Sequence, residues 1–350
     1  MKDVKTLGID LAKNIFQLHG INKMGRCVLK RRVSRGKLAE VIAKLPPCII
    51  GMEACSSAHY WARKFQAMGH IVKLMAPQFV KPYVKSNKND VNDAEGICEA
   101  VSRPLMKFVP IKQIDQQDML LIHRARELTI KQRTAQSNQI RGLLAEYGVI
   151  LSKGLKPLRE SLPRLLERPF GELPGELSEA SREIFILLYK QFKRLDKQVK
   201  LYDKKLKQQA SQDARCQALL SIEGVGEITA TAMVATIGSG HDFKNGREVS
   251  AWIGLVPKQH SSGNKIKLSG ISKRGDHYLR KLLIHGGRSV VKTCDKKTDK
   301  RSRWLKDKKD RCGVNKAAVA IANKNSRIIW AILTTGEAYR KPVVEQQVAA

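Results

Sequence analysis

An α/β domain at the N-terminal end, a long helical coiled-coil linker and a mainly α C-terminal domain with a helix-hairpin-helix are predicted from three features of the sequence. Over residues 1–112 apolar positions alternate with period two and then recur at helical spacing. Two polar stretches of helical period follow over 113–212, and a glycine-punctuated turn between apolar helices opens a basic region over 213–342, with a tail at 343–350. A chain of 350 residues suits two cores and connecting structure rather than one core.

Leu7, Ile9 and Leu11 carry the first predicted strand and Ile15-Phe16-Gln17-Leu18-His19 the second. The third runs from Cys27 to Val33 after the turn Asn22-Lys23-Met24-Gly25, so the three form a meander. Ser34 can cap a helix bearing Leu38, Val41, Ile42 and Leu45, which stops at Pro46-Pro47 and yields to the apolar strand Cys48 to Met52. A helix from about Ser56 to Met68 and a strand from Ile71 to Met75, closed by Pro77, complete the order βββαβαβ followed by helices. That order is the one of a ribonuclease-H-like fold.

Residues from about 113 to 149 read as one long helix with Leu120, Leu121, Leu128, Ile140, Leu143 and Leu144 as its apolar stripe. After a stretch broken by Pro157, Pro163, Pro169 and Pro174, a second long helix runs from about Glu176 to Ala210. Its Phe192, Leu195, Val199, Tyr202 and Leu206 recur as a coiled-coil seam would, either within one molecule or between two. The following segment from Leu219 to Ala230 has the shape of a helix-hairpin-helix, in which Gly224 and Gly226 allow a tight turn and the next helix offers free backbone N–H groups to a phosphate.

Lys and Arg number 65 against 32 acidic residues, a formal net charge of +33, and self-repulsion on that scale calls for a polyanionic partner. The 42% hydrophobic content excludes wholesale disorder. No amphipathic basic helix or lipidation signal points to a membrane, and the apolar C-terminal stretch is broken by Lys324 and Arg327 before it could span one. The start Met-Lys-Asp-Val-Lys lacks an apolar signal core, and the seven scattered cysteines form no zinc-spaced cluster, so a cytoplasmic protein with reduced thiols is expected.

Asp10 closes the first predicted strand and Glu53 the fourth, so the two lie side by side if those strands are neighbours. Asp90 and Asp93, in Lys88-Asn89-Asp90-Val91-Asn92-Asp93-Ala94, stand three apart at a helix start, on one face and where the helix dipole favours negative charge. Singly, each is an ordinary turn, cap or first-turn residue. Jointly, four carboxylates facing one point repel one another unless divalent cations lie between them, and two hard cations about 4 Å apart are what in-line phosphodiester displacement uses. Mg²⁺ is the expected ion, with Mn²⁺ as its substitute.

The segment from Trp252 to Lys267 joins an apolar stretch to a loop of hydroxyls, glycine and lysine that can hold phosphates through Lys258, Lys265 and Lys267. Lys273 and Arg274 follow, and then a helix capped by Ser272 or Asp276 whose Arg280, Lys281 and Arg288 lie near the same phosphates. From the residues alone Ser261 and Ser262 fit phosphate contact more readily than nucleophilic attack, because a serine nucleophile needs an activating partner that spacing does not reveal.

These residues resemble the transposases of insertion-sequence family 110, and within it the 1111 subgroup. The resemblance rests on Gly8-Ile9-Asp10-Leu11-Ala12-Lys13, Gly51-Met52-Glu53-Ala54-Cys55, the Asp90 to Asp93 segment, the Gly224-Val225-Gly226 hairpin, Gly254 to Gly263 and Gly270 to Asp276, and spans nearly the whole chain. It implies a RuvC-like N-terminal domain with Asp10, Glu53, Asp90 and Asp93 as metal ligands, and Ser262 as the nucleophile of a C-terminal transposase domain. It also implies guidance by a structured non-coding bridge RNA, DNA as substrate, and a homotetramer in which metal site and serine from different subunits form composite sites. A nucleoid-associated bacterial protein would follow. Departures from the family pattern are Glu223 in place of the hairpin proline, Ser57 where glycine is common, and Asn264 after Ser-Ser-Gly. The alternatives are a metal-dependent junction nuclease that uses water, with the C-terminal domain only binding, and a nucleic-acid-packaging protein whose carboxylates are structural. No Walker-type phosphate loop occurs, so no nucleotide cofactor is expected.

Overall fold

The computed structural model describes residues 3–85, 89–169, 172, 175–263 and 265–340; Lys88, Pro174, Asn264 and the tail at 343–350 lie outside them. The chain divides into two units, Met1–Ile114 and Asp115–Ala350. Among the described residues no helix is long and apolar enough to cross a membrane.

In the first unit, strands β1 (Thr6–Asp10), β2 (Ile15–Ile21) and β3 (Cys27–Ser34) form the expected antiparallel meander. Helix α1 (Arg35–Ala43) leads to β4 (Ile49–Glu53), α2 (Ala58–Gln66) to β5 (Ile71–Met75), and both strands join the sheet parallel to β1. The short α3 (Pro77–Val80) and then α4 (Asp90–Val101) follow. A two-residue antiparallel edge strand, β6 (Phe108–Val109), completes the order β3-β2-β1-β4-β5-β6; it is too short to leave a periodic signal. Ser34 stands at the start of α1 as expected, but its side chain makes no capping bond.

The two faces of this sheet differ. Leu7, Ile9, Ile50 and Met52 point to one side and build a core with Leu38, Ile42, Trp61 and Phe65 from α1 and α2. On the other side Gly8 and Gly51, directly paired across β1 and β4, form a floor for α4. A Cβ at Gly8 would come within 2.3 Å of the Ala94 carbonyl oxygen, and one at Gly51 within 2.7 Å of the Val101 Cβ. Only glycine permits so close a helix. The contacts of Ala94 and Cys98 with Gly8, and of the Cys98 thiol with the Thr6 carbonyl at 3.7 Å, run α4 back along β1. Its N-terminus therefore lies at the C-terminal ends of β1 and β4.

The second unit begins with the two expected long helices, α5 (Ile114–Glu146) and α7 (Glu179–Gln212). Between them stands an unexpected one, α6 (Leu155–Leu166). The prolines read as breakers, yet Pro157 falls in the first helical turn, where no N–H partner is needed, and Leu158, Leu162 and Leu166 bury at four-residue spacing around Pro163. Of the expected α7 seam, Phe192, Val199 and Leu206 are buried, whereas Leu195 and Tyr202 are half-exposed and Asp196 is buried instead. Its carboxylate accepts from Arg133 of α5 at 2.8 Å and Arg159 of α6 at 2.7 Å, tying three helices together. The stripe expected on α5 is corrected likewise: Leu121, Leu128 and Leu143 are exposed, and His123, Thr129, Gln136 and Ser137 are buried with Ile140 and Leu144.

Helices α8 (Ala214–Leu220) and α9 (Glu227–Ile237) form the glycine hairpin, followed by α10 (Gly246–Ile253). The segment expected as a loop is a β-hairpin of β7 (Pro257–Ser262) and β8 (Lys265–Ile271). Helices α11 (His277–Thr293), α12 (Lys300–Cys312) and α13 (Val314–Thr335) close the unit. The whole is mixed α/β at the N-terminal end and mainly helical beyond it.

Candidate active site

Asp10 and Glu53 each stand two residues after a floor glycine, so by strand alternation both carboxylates emerge on the α4 face at the strand ends. There α4 begins, capped by the Asn89 side chain, which accepts from the Asn92 N–H at 2.8 Å and fixes the first turn carrying Asp90 and Asp93. Carboxylate oxygens of Asp10, Asp90 and Asp93 lie within 4.8 Å of one another, with Asp10 and Asp93 half-buried and Asp90 exposed. Three hard oxygen donors at that separation fit a divalent cation. Glu53 is outside this close group but acts nearby: desolvation first, then the Glu53 and Asp10 charges, push the Cys55 thiol above its usual range. Ser57, where glycine is common in the family pattern, does adopt a left-handed φ of 66° at the start of α2.

The signal missed in the sequence is the pairing of Gly8-x-Asp10 with Gly51-x-Glu53. A bare glycine followed two residues later by an acid, on two neighbouring strands, both admits the helix and aims the acids at its N-terminus.

In the second unit, the β7–β8 register separates the two serines. Ser262 pairs with Lys265 and His260 with Lys267, so these four share one face. Ser261 pairs with Ile266 on the other face, where Ile266 and Leu268 are exposed and the Ser261 hydroxyl accepts from Gln259 Nε2 at 2.9 Å. Ser262 is thus the serine set among basic side chains. Sequence reasoning did not place His260 with it, because that requires knowing that the segment is a strand.

The hairpin root is locked. A Cβ at Gly254 would stand 2.0 Å from the Arg274 carbonyl oxygen, and one at Gly275 would stand 1.7 Å from that of Trp252. Arg280 Nη1 donates to the Ile253 carbonyl at 2.8 Å and to that of Arg274 at 3.2 Å. Arg280 is therefore buried and committed to the protein, a correction to its expected phosphate role. Lys281 has its ammonium paired with Glu127 and 5.0 Å from the Tyr278 ring centre. Lys258, Lys265, Lys267, Lys273 and Arg274 are exposed, and Arg288 donates to Asn315 Oδ1 at 3.2 Å. Asp276, rather than Ser272, caps α11, accepting from the Leu279 N–H at 2.9 Å.

At the glycine hairpin, Gly224 is occupied by packing, since a Cβ there would lie 2.7 Å from the Gly286 carbonyl of α11. Gly226 opens α9 in free space. Glu223, in the place of proline, gives its carbonyl to Asn325 Nδ2 at 2.9 Å and its carboxylate to Lys297.

Comparison with known proteins finds a family match at each end of the chain. Residues 7–149 match a DEDD-type transposase domain model and residues 216–303 the model described as "Transposase IS116/IS110/IS902 family". The chain is 47% identical over 340 residues to a transposase for insertion sequence element IS1111A of Coxiella burnetii, covering 97% of this chain and 92% of that one. It is 45% identical over 338 residues to a probable family 20 transposase of Pseudomonas aeruginosa, covering 97% and 99%. To a transposase for insertion sequence element IS1328 of Yersinia enterocolitica it is 39% identical over 342 residues, covering 97% and 100%. A DEDD-type domain with converging aspartates suggests dependence on a divalent metal. The chain belongs to the IS110/IS116/IS902 family of insertion-sequence transposases, DNA-binding proteins whose activity is in general the cutting and rejoining of DNA.

Proposed function

We propose that this transposase uses two chemical centres, a Mg²⁺ site built by Asp10, Glu53, Asp90 and Asp93 in a ribonuclease-H-like domain over 1–112, and Ser262 as nucleophile in a transposase domain over 213–342 joined by the helical linker 113–212. The observation that carries the reading is the convergence of the Asp10, Asp90 and Asp93 carboxylates within 4.8 Å. A hard cation held there would neutralise charge on the scissile phosphate. Ser262 Oγ attacks the phosphorus, forming a phosphoserine bond and releasing a 3′ hydroxyl. After exchange of partners, a 3′ hydroxyl attacks that phosphoserine, and the serine hydroxyl is restored. Each phosphodiester broken is matched by one formed, so no nucleotide is consumed.

The lysines on the Ser262 face, Lys265 and Lys267, attract the phosphate, and His260, which shares that face, takes the serine proton in this reading. A bridge RNA from the element supplies the choice of donor and target DNA, and a tetramer supplies the two centres of each composite site from different subunits. These parts of the reading rest on the family resemblance. The test is Asp10→Asn: strand cleavage should be lost while nucleic-acid affinity stays equal or rises slightly, since negative charge has been removed. Cleavage by the unaltered protein should proceed in Mg²⁺ or Mn²⁺ and fail in Ca²⁺, whose looser coordination does not align an in-line attack. Normal cleavage by Asp10→Asn would overturn the metal-site reading.

A further inference from the structure

Away from the hairpin, the second unit contains a cavity of about 550 Å³ between the start of α10 and the side of α13. Its lining divides by chemistry into three cations, Arg247, Lys324 and Arg327, and an apolar group, Ile328, Trp330 and Ala331. The two helices meet almost backbone to backbone, since a Cβ at Gly246 would lie 2.9 Å from the Arg327 Cα. That contact sets the first N–H groups of α10 beside Arg327. Gly246 is buried, and among the described residues nothing accepts from its N–H or from that of Arg247. The first N–H groups of a helix have no partner within it, and those of α10 are open to an acceptor from outside, Arg247 being exposed.

The three cations are solvent-exposed. Elsewhere in this unit Arg126 is held by Asp203, Arg133 and Arg159 by Asp196, and Lys309 by Asp295. Arg247, Lys324 and Arg327 make no ion pair among the described residues, and Glu248, the acid beside Arg247 in sequence, accepts from the Lys244 backbone N–H at 2.9 Å. Lys324 sits 4.3 Å from the Trp304 ring centre. Desolvation first, then the charges of Arg301 and Arg327, hold its ammonium below the usual lysine range. An anion joining the group would relieve that repulsion.

We infer that this cavity binds one nucleotide unit of a single-stranded nucleic acid, the phosphate on Arg247, Arg327 and the α10 start and the base against Trp330. Cations beside an aromatic wall suit a phosphate that carries a flat ring. The volume is that of a small-ligand site, which one splayed nucleotide can enter and the convex backbone of a duplex, with its bases stacked inside, cannot. The chemistry is shared by DNA and RNA single strands.

Full-length protein carrying Arg247→Gln and Arg327→Gln tests this with labelled single-stranded DNA, the same sequence as RNA, and duplex DNA. Loss of the one phosphate held by both arginines should lower the slope of log affinity against log salt by about 0.7 on a single strand. The duplex slope should stay unchanged. A drop confined to DNA or to RNA supports the site and names its natural strand; an unchanged slope on both, or an equal drop on the duplex, overturns it. A second measurement needs no variant: photocrosslinking of iodouracil-substituted single strands to the unaltered protein should mark the peptide containing residues 324–331. Saturated binding with no adduct in that peptide would also overturn the inference. Neither measurement depends on Ser262 or on cleavage.

Discussion

At the scale of single residues, chemistry is decided by what each side chain has left to offer. Arg280 shows this most plainly. In the sequence it is one of several basic residues on an amphipathic helix, and nothing in its neighbours signals that its guanidinium reaches back to two carbonyls at the hairpin root. Arg280→Gln should therefore cost stability, about 1–3 kcal/mol for leaving buried acceptors unmet, and reduce cleavage by loosening the hairpin. It should leave the salt dependence of DNA binding unaltered, because no phosphate contact is lost. Thermal melts and salt titrations on that variant check both parts; a reduced salt slope would restore the phosphate role. The strand-end and helix-start positions of Asp10, Glu53, Asp90 and Asp93 were legible because such positions are local features. The face that Ser262 shares with His260 was not, because a polar hairpin of Ser, Gly and Lys carries no apolar alternation.

At the scale of elements, glycines decide which helix reaches which strand. Gly8→Ala would drive a Cβ into the Ala94 carbonyl and the Cys98 N–H, and α4 would have to lift from β1, moving Asp90 and Asp93 away from Asp10. The expected result is a loss of about 1–3 kcal/mol by overpacking and a larger relative loss of metal-dependent cleavage than of binding. Chemical denaturation paired with a cleavage assay measures both, and wild-type cleavage by Gly8→Ala would show that α4 does not position the acids. In the second unit, the first part of α5 is docked by polar complementarity, which hydrophobic periodicity cannot foresee, and its end by Ile140 and Leu144. His123 is buried between Tyr278 Oη at 2.9 Å and Thr231 Oγ1 at 3.1 Å, and the Thr231 hydroxyl donates to the Glu227 carbonyl. Thr231 must then accept from Nε2–H, and Nδ1 accepts from Tyr278, so the imidazole is held neutral. Desolvation first, then Arg126, lowers its pKa to about 4. A histidine whose folded pKa lies below its unfolded value of 6.5 favours the folded state above pH 6.5, and that contribution is lost as pH falls toward 4, by about 3 kcal/mol in all. His123→Gln should flatten the acid limb of the stability curve over that window; an unchanged limb would mean other groups set it.

At the scale of the whole molecule, a charge of +33 dictates a polyanionic partner before any fold is known, and family membership identifies that partner as DNA. Much of the affinity should be counterion release, falling log-linearly with salt, and replacing Lys265 and Lys267 by Glu should weaken binding to all sequences about equally. Charge alone says nothing of chemistry, which lives in two small groups of side chains in two different units. The decisive measurement is covalent trapping: labelled DNA incubated with full-length protein, guide RNA and Mg²⁺, resolved on a denaturing gel, with peptide mapping of any DNA-linked species. Ser262→Ala should bind nucleic acid normally and form no adduct, Ser261→Ala should retain most of it, and the wild-type adduct should map to Ser262. Recombination by Ser262→Ala at the wild-type rate, or an adduct mapped to Ser261 or to a tyrosine, would contradict the serine assignment; cleavage with no adduct at all would make the enzyme a hydrolytic nuclease.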